Sequence, residues 1–238
     1  MLRKYGAFLD AMIEQGQSER APQGAGDRSD ARPRVPPEEP RNSAPAHTGG
    51  GPLGGRGVWY LVHHPVGPKF RVVFDGAAEF EGQALNRYLD KGPEHTSTLL
   101  GAFIRWRTYA KAACADIKGM FYNVSLPPEE RDCVRYLWWQ DGDPKKPVRE
   151  YRLTHQVPGL TCSPSNACFV LRQLAMDNPT GASEPTLQSV RESFYVDDWL
   201  PSDPDAASLR RKIDEIRPLC SAAGFLMTKF AANDPLEY

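Results

Sequence analysis

Two adjacent aspartates, Asp197 and Asp198, are the residues with the clearest chemical potential in this sequence. The apolar runs 194–196 and 199–200 flank the pair, which is typical of a strand rather than of a solvated loop. Neighbouring carboxylates raise each other's pKa, and burial adds a further cost. A bound divalent cation offsets that cost by turning the carboxylates into ligands. The alternative interpretation is a solvated turn or the N-cap of a helix.

A third carboxylate, Asp116, lies in the short apolar run Ala113–Ile117. One aspartate together with a distant aspartate pair is a ligand set suited to two-metal phosphoryl transfer, because both metals must contact oxygen ligands. We therefore expect the three carboxyl groups to converge at a sheet edge, within roughly 4–8 Å of one another. A nuclease-like or other magnesium-dependent phosphoryl-transfer domain is the alternative, and it would require a different carboxylate geometry and an attacking water.

Composition limits the class of protein. The 238 residues allow one or two domains, and the 40% of hydrophobic residues suffice for a substantial core. The formal net charge of −1 excludes the global basic field that is typical of many nucleic-acid binders. Any contact with nucleic acid must therefore come from a local groove.

The cysteines and the hydropathy pattern indicate the compartment. Five cysteines form an odd set without a C-x-x-C pair, which argues against a disulfide framework and against a zinc module. Free thiols indicate a reducing compartment, so we expect an intracellular protein in the cytoplasm, with the nucleus as the alternative. No apolar stretch approaches the roughly 20 residues that span a bilayer. Asp10 and Glu14 interrupt the apolar N-terminus, so we expect neither a signal peptide nor a membrane partner.

Two N-terminal segments differ sharply in composition. Residues 1–17 carry apolar side chains at helical spacing, with Gly16 as a stop signal, and this pattern predicts an amphipathic helix. Residues 18–57 are rich in proline, glycine and arginine and contain almost no large aliphatic side chain. Such a segment cannot bury enough surface to offset its ordering entropy, so we predict that it is disordered.

The remaining sequence mixes strand and helix signals, which favours an α+β fold. The predicted strands are 58–62, 70–74, 112–117, 134–139, 149–153, a pair within 192–200, and 225–230. The predicted helices are 99–109, 163–174 and 206–222, the last bent or divided by Pro218.

Five sequence blocks occur in a characteristic order. They are Val58–Leu61 with His64-Pro65, Lys69–Asp75, Leu85-Asn86 with Gly92-Pro93, Ala115–Ile117 with Met120-Phe121 and Pro128, and Phe194–Asp198. Together they resemble the reverse transcriptases of the Pao/BEL class of long-terminal-repeat retrotransposons, over about 58–238. The sequence departs from the family at Pro158, where a phenylalanine is expected, and at Arg87, where an acidic residue is common.

The resemblance implies a right-handed polymerase architecture. The fingers would comprise 58–107 and the palm 108–238, with 125–160 partly in the fingers. The palm would be a small antiparallel sheet backed by helices. No segment resembles a thumb, connection or RNase H domain, so we expect a fragment of a retroelement. The alternative is an inactive or truncated remnant that acts as a nucleic-acid-binding or protein-binding module.

The resemblance also implies an activity and a set of site residues. The activity would be RNA-directed DNA polymerisation from deoxynucleoside triphosphates, on an RNA or DNA template with a primer and with two Mg²⁺ or Mn²⁺ ions. Asp116, Asp197 and Asp198 would be catalytic metal ligands, with Ile117 as a further ligand. The implied nucleotide-binding residues are Lys69, Arg71, Gly119, Met120, Phe121 and Lys229.

Three of these nucleotide-binding residues have distinct implied roles. Arg71 would lie on the triphosphate, Phe121 beneath the incoming sugar, and Lys229 near the leaving pyrophosphate. The alternatives are, in the same order, an exposed strand arginine, a core phenylalanine and a surface lysine.

Overall fold

The computed structural model describes residues 2–22, 57–67, 71–95, 98–178 and 181–233. The chain forms two compact units, one from Met1–Asp90 with Ser125–Thr161 and the other from Lys91–Val124 with Cys162–Tyr238. Helices and antiparallel sheets are mixed in the described part, so the predicted α+β class is confirmed. None of its helices is long and apolar enough to cross a bilayer. The predicted disorder of 23–56 and the predicted role of Lys69 lie outside the described residues.

In its described residues the first unit contains one α-helix and two small sheets. Its elements are α1 (Leu2–Glu14), β1 (Ser18–Arg20), β2 (Val62–Val66), β3 (Arg71–Asp75), β5 (Arg135–Trp139) and β6 (Val148–Leu153). One sheet has the order β1-β6-β5, and β2 pairs with β3 in the other. The first predicted strand begins later than expected, at Val62, because Val58–Leu61 contribute only an isolated bridge, from Tyr60 to Arg135.

The N-terminal segment packs onto the first unit. Helix α1 buries the side chains of Tyr5, Leu9 and Met12, as its apolar spacing predicted. The prediction of disorder from residue 18 is wrong for Ser18–Arg20, which pair with β6. Composition missed this strand because its order comes from partners distant in sequence. The Glu19 carboxylate, for example, accepts a hydrogen bond from Arg152 Nε at 2.7 Å.

His63 of β2 connects α1 to strand β5 of the other sheet. Its Nδ1 lies 2.5 Å from the Tyr5 hydroxyl and its Nε2 lies 3.0 Å from the Leu137 carbonyl oxygen. A neutral ring satisfies both contacts when Nε2–H donates to the carbonyl and Nδ1 accepts from the hydroxyl. Burial lowers the pKa of His63, the Leu137 carbonyl opposes that shift, and the neighbouring His64 adds to it.

This arrangement predicts a pH-dependent stability. The folded pKa of His63 lies below its unfolded value of about 6.5, so the unfolded chain takes up the proton more readily. Stability is therefore fully present above that value and is lost as the pH falls from about 6.5 toward the folded pKa. We expect the free energy of unfolding to fall for this group between pH 7.5 and pH 5.5, by less than the about 1.4 kcal/mol that one pH unit allows.

Urea titrations of the wild type and of His63→Gln at both pH values measure this contribution. We expect the pH dependence to be weaker in His63→Gln. His155→Gln is the comparison variant, because burial also lowers the pKa of His155, whose ring lies beside the Ser125 and Thr154 hydroxyls rather than beside Tyr5. Equal pH dependence in the wild type and in His63→Gln would contradict the assignment.

The second unit is a helix-backed antiparallel sheet. Its strands are β4 (Lys111–Ile117), β7 (Phe194–Tyr195), β8 (Asp198–Trp199), β9 (Ser202–Asp203) and β10 (Met227–Ala232). Its helices are α2 (Leu99–Trp106), α3 (Ser163–Asp177), α4 (Glu184–Glu192) and α5 (Ala206–Ala222). The strand order is β10-β4-β8-β7, and β9 also pairs with β4. Helix α5 continues through Pro218 rather than dividing there.

The core of the second unit lies on one face of this sheet. Side chains alternate along β4, and Ala113, Ala115 and Ile117 are buried in the same cluster as the apolar side chains of α3, α4 and α5. Asp116 therefore points to the opposite face, because successive strand residues alternate. One face of the sheet is thus filled by helices, and the other presents the carboxylate.

Candidate active site

A two-residue hairpin carries the aspartate pair. Tyr195 of β7 pairs with Asp198 of β8, so Val196 and Asp197 form the loop. Val196 has a φ of 55°, and it is the only loop residue with positive φ. This sign pattern is that of a type II′ turn, which normally has glycine at its first central position. A β-branched side chain at this position is strained.

The strain at Val196 predicts that the glycine variant is more stable than the alanine variant, which is the reverse of their usual order of stability. We expect Val196→Gly to unfold at a higher temperature than Val196→Ala. Its free energy of unfolding should be larger by roughly 1 kcal/mol, because only glycine adopts the left-handed backbone without strain. Both variants lose the two methyl groups of Val196, which packs partly against the core. Val124 is the matched control, with a φ of −105°. At Val124 we expect the glycine variant to be less stable than the alanine variant. The same order of stability at Val196 would contradict the prediction.

The sheet brings Asp116 directly opposite Asp198. The Ile117 N–H donates to the Asp197 carbonyl oxygen at 2.9 Å, so the adjacent pair Asp116–Asp198 is a non-hydrogen-bonded pair. Facing side chains approach most closely in such pairs, and like charges placed there are destabilising. The structure therefore holds two carboxylates together against their mutual repulsion.

Strand β10 brings two further groups to Asp116. The Thr228 hydroxyl lies 3.3 Å from both Oδ1 and the backbone oxygen of Asp116. The Lys229 Nζ donates to Asp116 Oδ2 at 2.9 Å. The pairing of β10 with β4 shifts by one residue between Thr228 and Ala231, which marks a β-bulge. Thr228 was not predicted as a site residue from the sequence, since a threonine in a strand carries no signal of its partner.

The electrostatics of the site reflect an excess of negative charge. Burial raises the pKa of Asp197, and the charges of Asp198 and Asp116 raise it further. Its own backbone N–H and the ammonium of Lys229 act in the opposite direction. The hydrogen bond and charge of Asp116 raise the pKa of Lys229. A cation bound beside the carboxylates would relieve both the repulsion and the raised pKa of Asp197.

The donor chemistry of this site fits a hard divalent cation, because its ligands are carboxylate oxygens. Within the described ranges, however, no three His, Cys, Asp or Glu side chains are grouped closely enough to hold one. Asp116 instead contacts Lys229. The side chain of Ile117 is buried, so only its backbone oxygen could serve as a ligand.

The predicted nucleotide-binding residues lie in different environments. Gly119 has a left-handed backbone at the start of a short 3₁₀ helix, and the Met120 side chain is buried in the core. Phe121 is partly buried and packs against that core. Arg71 is exposed on β3 of the first unit. The structure thus brings Lys229 to the carboxylates, and the roles of the other residues stay predictions.

Comparison with known proteins identifies solved structures with a similar fold. No family model and no curated protein matches the sequence. The solved foamy viral protease-reverse transcriptase in complex with double-stranded DNA is 14% identical, with a TM-score of 0.60, over 92% of this chain and 29% of that chain. The protease-reverse transcriptase of Prototype Foamy Virus, as a mutant labelled with selenomethionine, is 16% identical, with a TM-score of 0.58, over 92% and 22%.

A third solved structure is the foamy viral protease-reverse transcriptase in complex with an RNA/DNA hybrid. It is 16% identical, with a TM-score of 0.54, over 74% of this chain and 21% of that chain. This chain therefore spans less than a third of the length of the structures it matches. At such identities the likeness establishes the fold alone, and this chain has a reverse transcriptase-like fold.

Proposed function

We propose that this chain is the fingers–palm part of an RNA-directed DNA polymerase of the Pao/BEL type. The observation that carries the proposal is the placement of Asp116 opposite Asp198, with Asp197 in the same hairpin, on the face of a reverse transcriptase-like sheet that lies opposite the buried core. The fingers would comprise 58–107 and the palm 108–238, with 125–160 shared between them.

Within this proposal the three aspartates would hold two divalent cations, Mg²⁺ or Mn²⁺. Their chemistry, when bound, is activation of a primer 3′-hydroxyl and stabilisation of the negative charge on the transferred phosphoryl group. The chain itself supplies a fixed set of oxygen ligands, because β4 and the β7–β8 hairpin hold Asp116 and Asp198 in register. Lys229 contacts Asp116, and from there its ammonium would donate a hydrogen bond or a proton to a departing pyrophosphate.

The proposed partners are a primer annealed to an RNA or DNA template and deoxynucleoside triphosphates. Two of the similar structures are complexes with double-stranded DNA and with an RNA/DNA hybrid, which supports a duplex as the ligand. In the proposal, Arg71 contacts the triphosphate through charge-assisted hydrogen bonds. Gly119, Met120 and Phe121 line the nucleotide site, with Met120 acting through its backbone because its side chain is buried.

A binding module without catalysis is the second candidate. One observation favours it. Across the described residues no three acidic side chains lie close enough together to hold a cation, and Asp116 contacts a lysine. Such a module would bind duplex nucleic acid or a protein without extending a primer.

Primer extension on a homopolymer RNA template, with the full chain and Mg²⁺ or Mn²⁺, separates the two candidates. The polymerase proposal predicts template-dependent extension that Asp198→Asn removes. Duplex binding without extension, unchanged in Asp198→Asn, would instead support the binding module.

A further inference from the structure

The ammonium group of Lys229 has an unusual position in the site. Its Nζ lies 2.9 Å from Asp116 Oδ2, although 74% of the lysine side chain is exposed. An exposed lysine gives up rotamer freedom when it is held in one contact. The contact therefore calls for a structural cause.

The backbone of β10 provides that cause. In a regular strand the side chains of Thr228 and Lys229 would point to opposite faces. Lys229 instead has a φ of 56°, and the register with β4 shifts between Thr228 and Ala231. A bulge of this kind re-aims a side chain, and a left-handed backbone is uncommon for lysine. The bulge thus brings the ammonium to the face that carries Asp116.

The charges around Asp116 show what the ammonium does there. Asp198 lies directly across the strand pair, and Asp197 lies in the adjoining loop. Facing carboxylates repel each other, and a positive charge beside one of them reduces that repulsion. The same contact occupies Oδ2 of Asp116, which is one of the two oxygens that this carboxylate could offer a divalent cation.

We propose that Lys229 is a tethered counter-ion that holds Asp116 in place before a divalent cation binds and that the cation must displace. This inference rests on the proposed function, because it assumes that the cation binds at the three aspartates. Lys229 then sets the affinity for the first cation: it offsets the repulsion between Asp116 and Asp198 without metal, and it competes with the metal for one carboxylate oxygen.

Calorimetric titration of the full chain with Mn²⁺ alone tests the proposal. Lys229→Asn removes the charge and retains a residue that tolerates a left-handed backbone. We expect it to bind Mn²⁺ about fivefold more tightly than the wild type, the size that one exposed ion pair allows. Lys229→Arg is expected to keep the wild-type affinity. Without metal, Lys229→Asn should melt at a lower temperature, and Mn²⁺ should raise its melting temperature more than that of the wild type.

Lys118→Asn is the matched control for the loss of one positive charge. Lys118 is exposed one residue after β4, and it forms no ion pair within the described part of the chain. Equal tightening in the two variants, or none in Lys229→Asn, overturns the inference, while binding that Asp198→Asn removes still supports the proposed function. No Mn²⁺ binding to either the wild type or Lys229→Asn overturns both.

Discussion

Asp198→Asn is expected to lower the rate of primer extension on the order of a thousandfold while raising thermal stability. The loss follows because a metal site contributes several kcal/mol of charge stabilisation in the transition state, and each 1.4 kcal/mol is tenfold in rate. The gain in stability follows because Asp198 faces Asp116 across the strand pair, and asparagine removes the repulsion. The measurements are single-nucleotide extension rates and a thermal melt without metal.

Asp203→Asn on β9 is the control for this experiment. The Asp203 carboxylate lies 2.9 Å from Lys212 Nζ and is nearly buried, so its role is structural. Breaking a buried ion pair costs about 3 kcal/mol, so this variant should melt earlier and keep its extension rate at low temperature. If Asp198→Asn behaved like Asp203→Asn, the carboxylate pair would be a structural feature and the polymerase proposal would fail.

Phe121→Val is expected to admit ribonucleotides. If the ring lies beneath the incoming sugar, it excludes a 2′-hydroxyl by a steric clash, and removing the clash changes the choice between substrates. We expect the ratio of kcat/KM for a ribonucleotide to that for its deoxy counterpart to rise roughly tenfold or more. Phe121 is half-buried and packs against the core, so a loss of stability without a change in this ratio is the alternative outcome, and it is equally measurable.

The control for Phe121 is Phe225→Val, in the same core and fully buried. A core phenylalanine cut to a smaller side chain loses up to about 3–5 kcal/mol and impairs use of both sugars alike. Phe225→Val should therefore leave the substrate ratio unchanged and lower the melting temperature. The same behaviour in Phe121→Val would assign Phe121 to the core and remove it from the nucleotide site.

The elements that could be predicted are those whose signal is local. The small and branched residues Ala113–Ile117 indicated β4, the apolar spacing of 163–174 indicated α3, and the apolar flanks of the aspartate pair indicated the β7–β8 hairpin. Each signal depends on the spacing or type of neighbouring side chains. The aspartates of the candidate site could therefore be named from the sequence.

The missed elements depend on partners that are distant in the sequence. Helix α4 was not predicted because two of its four buried residues are polar, Thr186 and Ser189. Thr186 is tolerated in the core because Glu215 of α5 accepts its hydroxyl hydrogen bond at 2.6 Å. The contact of Lys229 with Asp116 depends on a bulge and a left-handed residue, which leave no pattern in the amino-acid types.

The pairing of β4 also determines when the site can form during synthesis. All three of its partner strands, β8, β9 and β10, follow it in the chain, and Thr228 lies 112 residues after Asp116. A ribosome that adds roughly 5–20 residues per second needs on the order of ten seconds to cover that distance. Both edges of β4 stay unpaired for most of this time, exposed to wrong partners as well as right ones. The carboxylate site is therefore completed late, when the strand that carries Lys229 has left the ribosome.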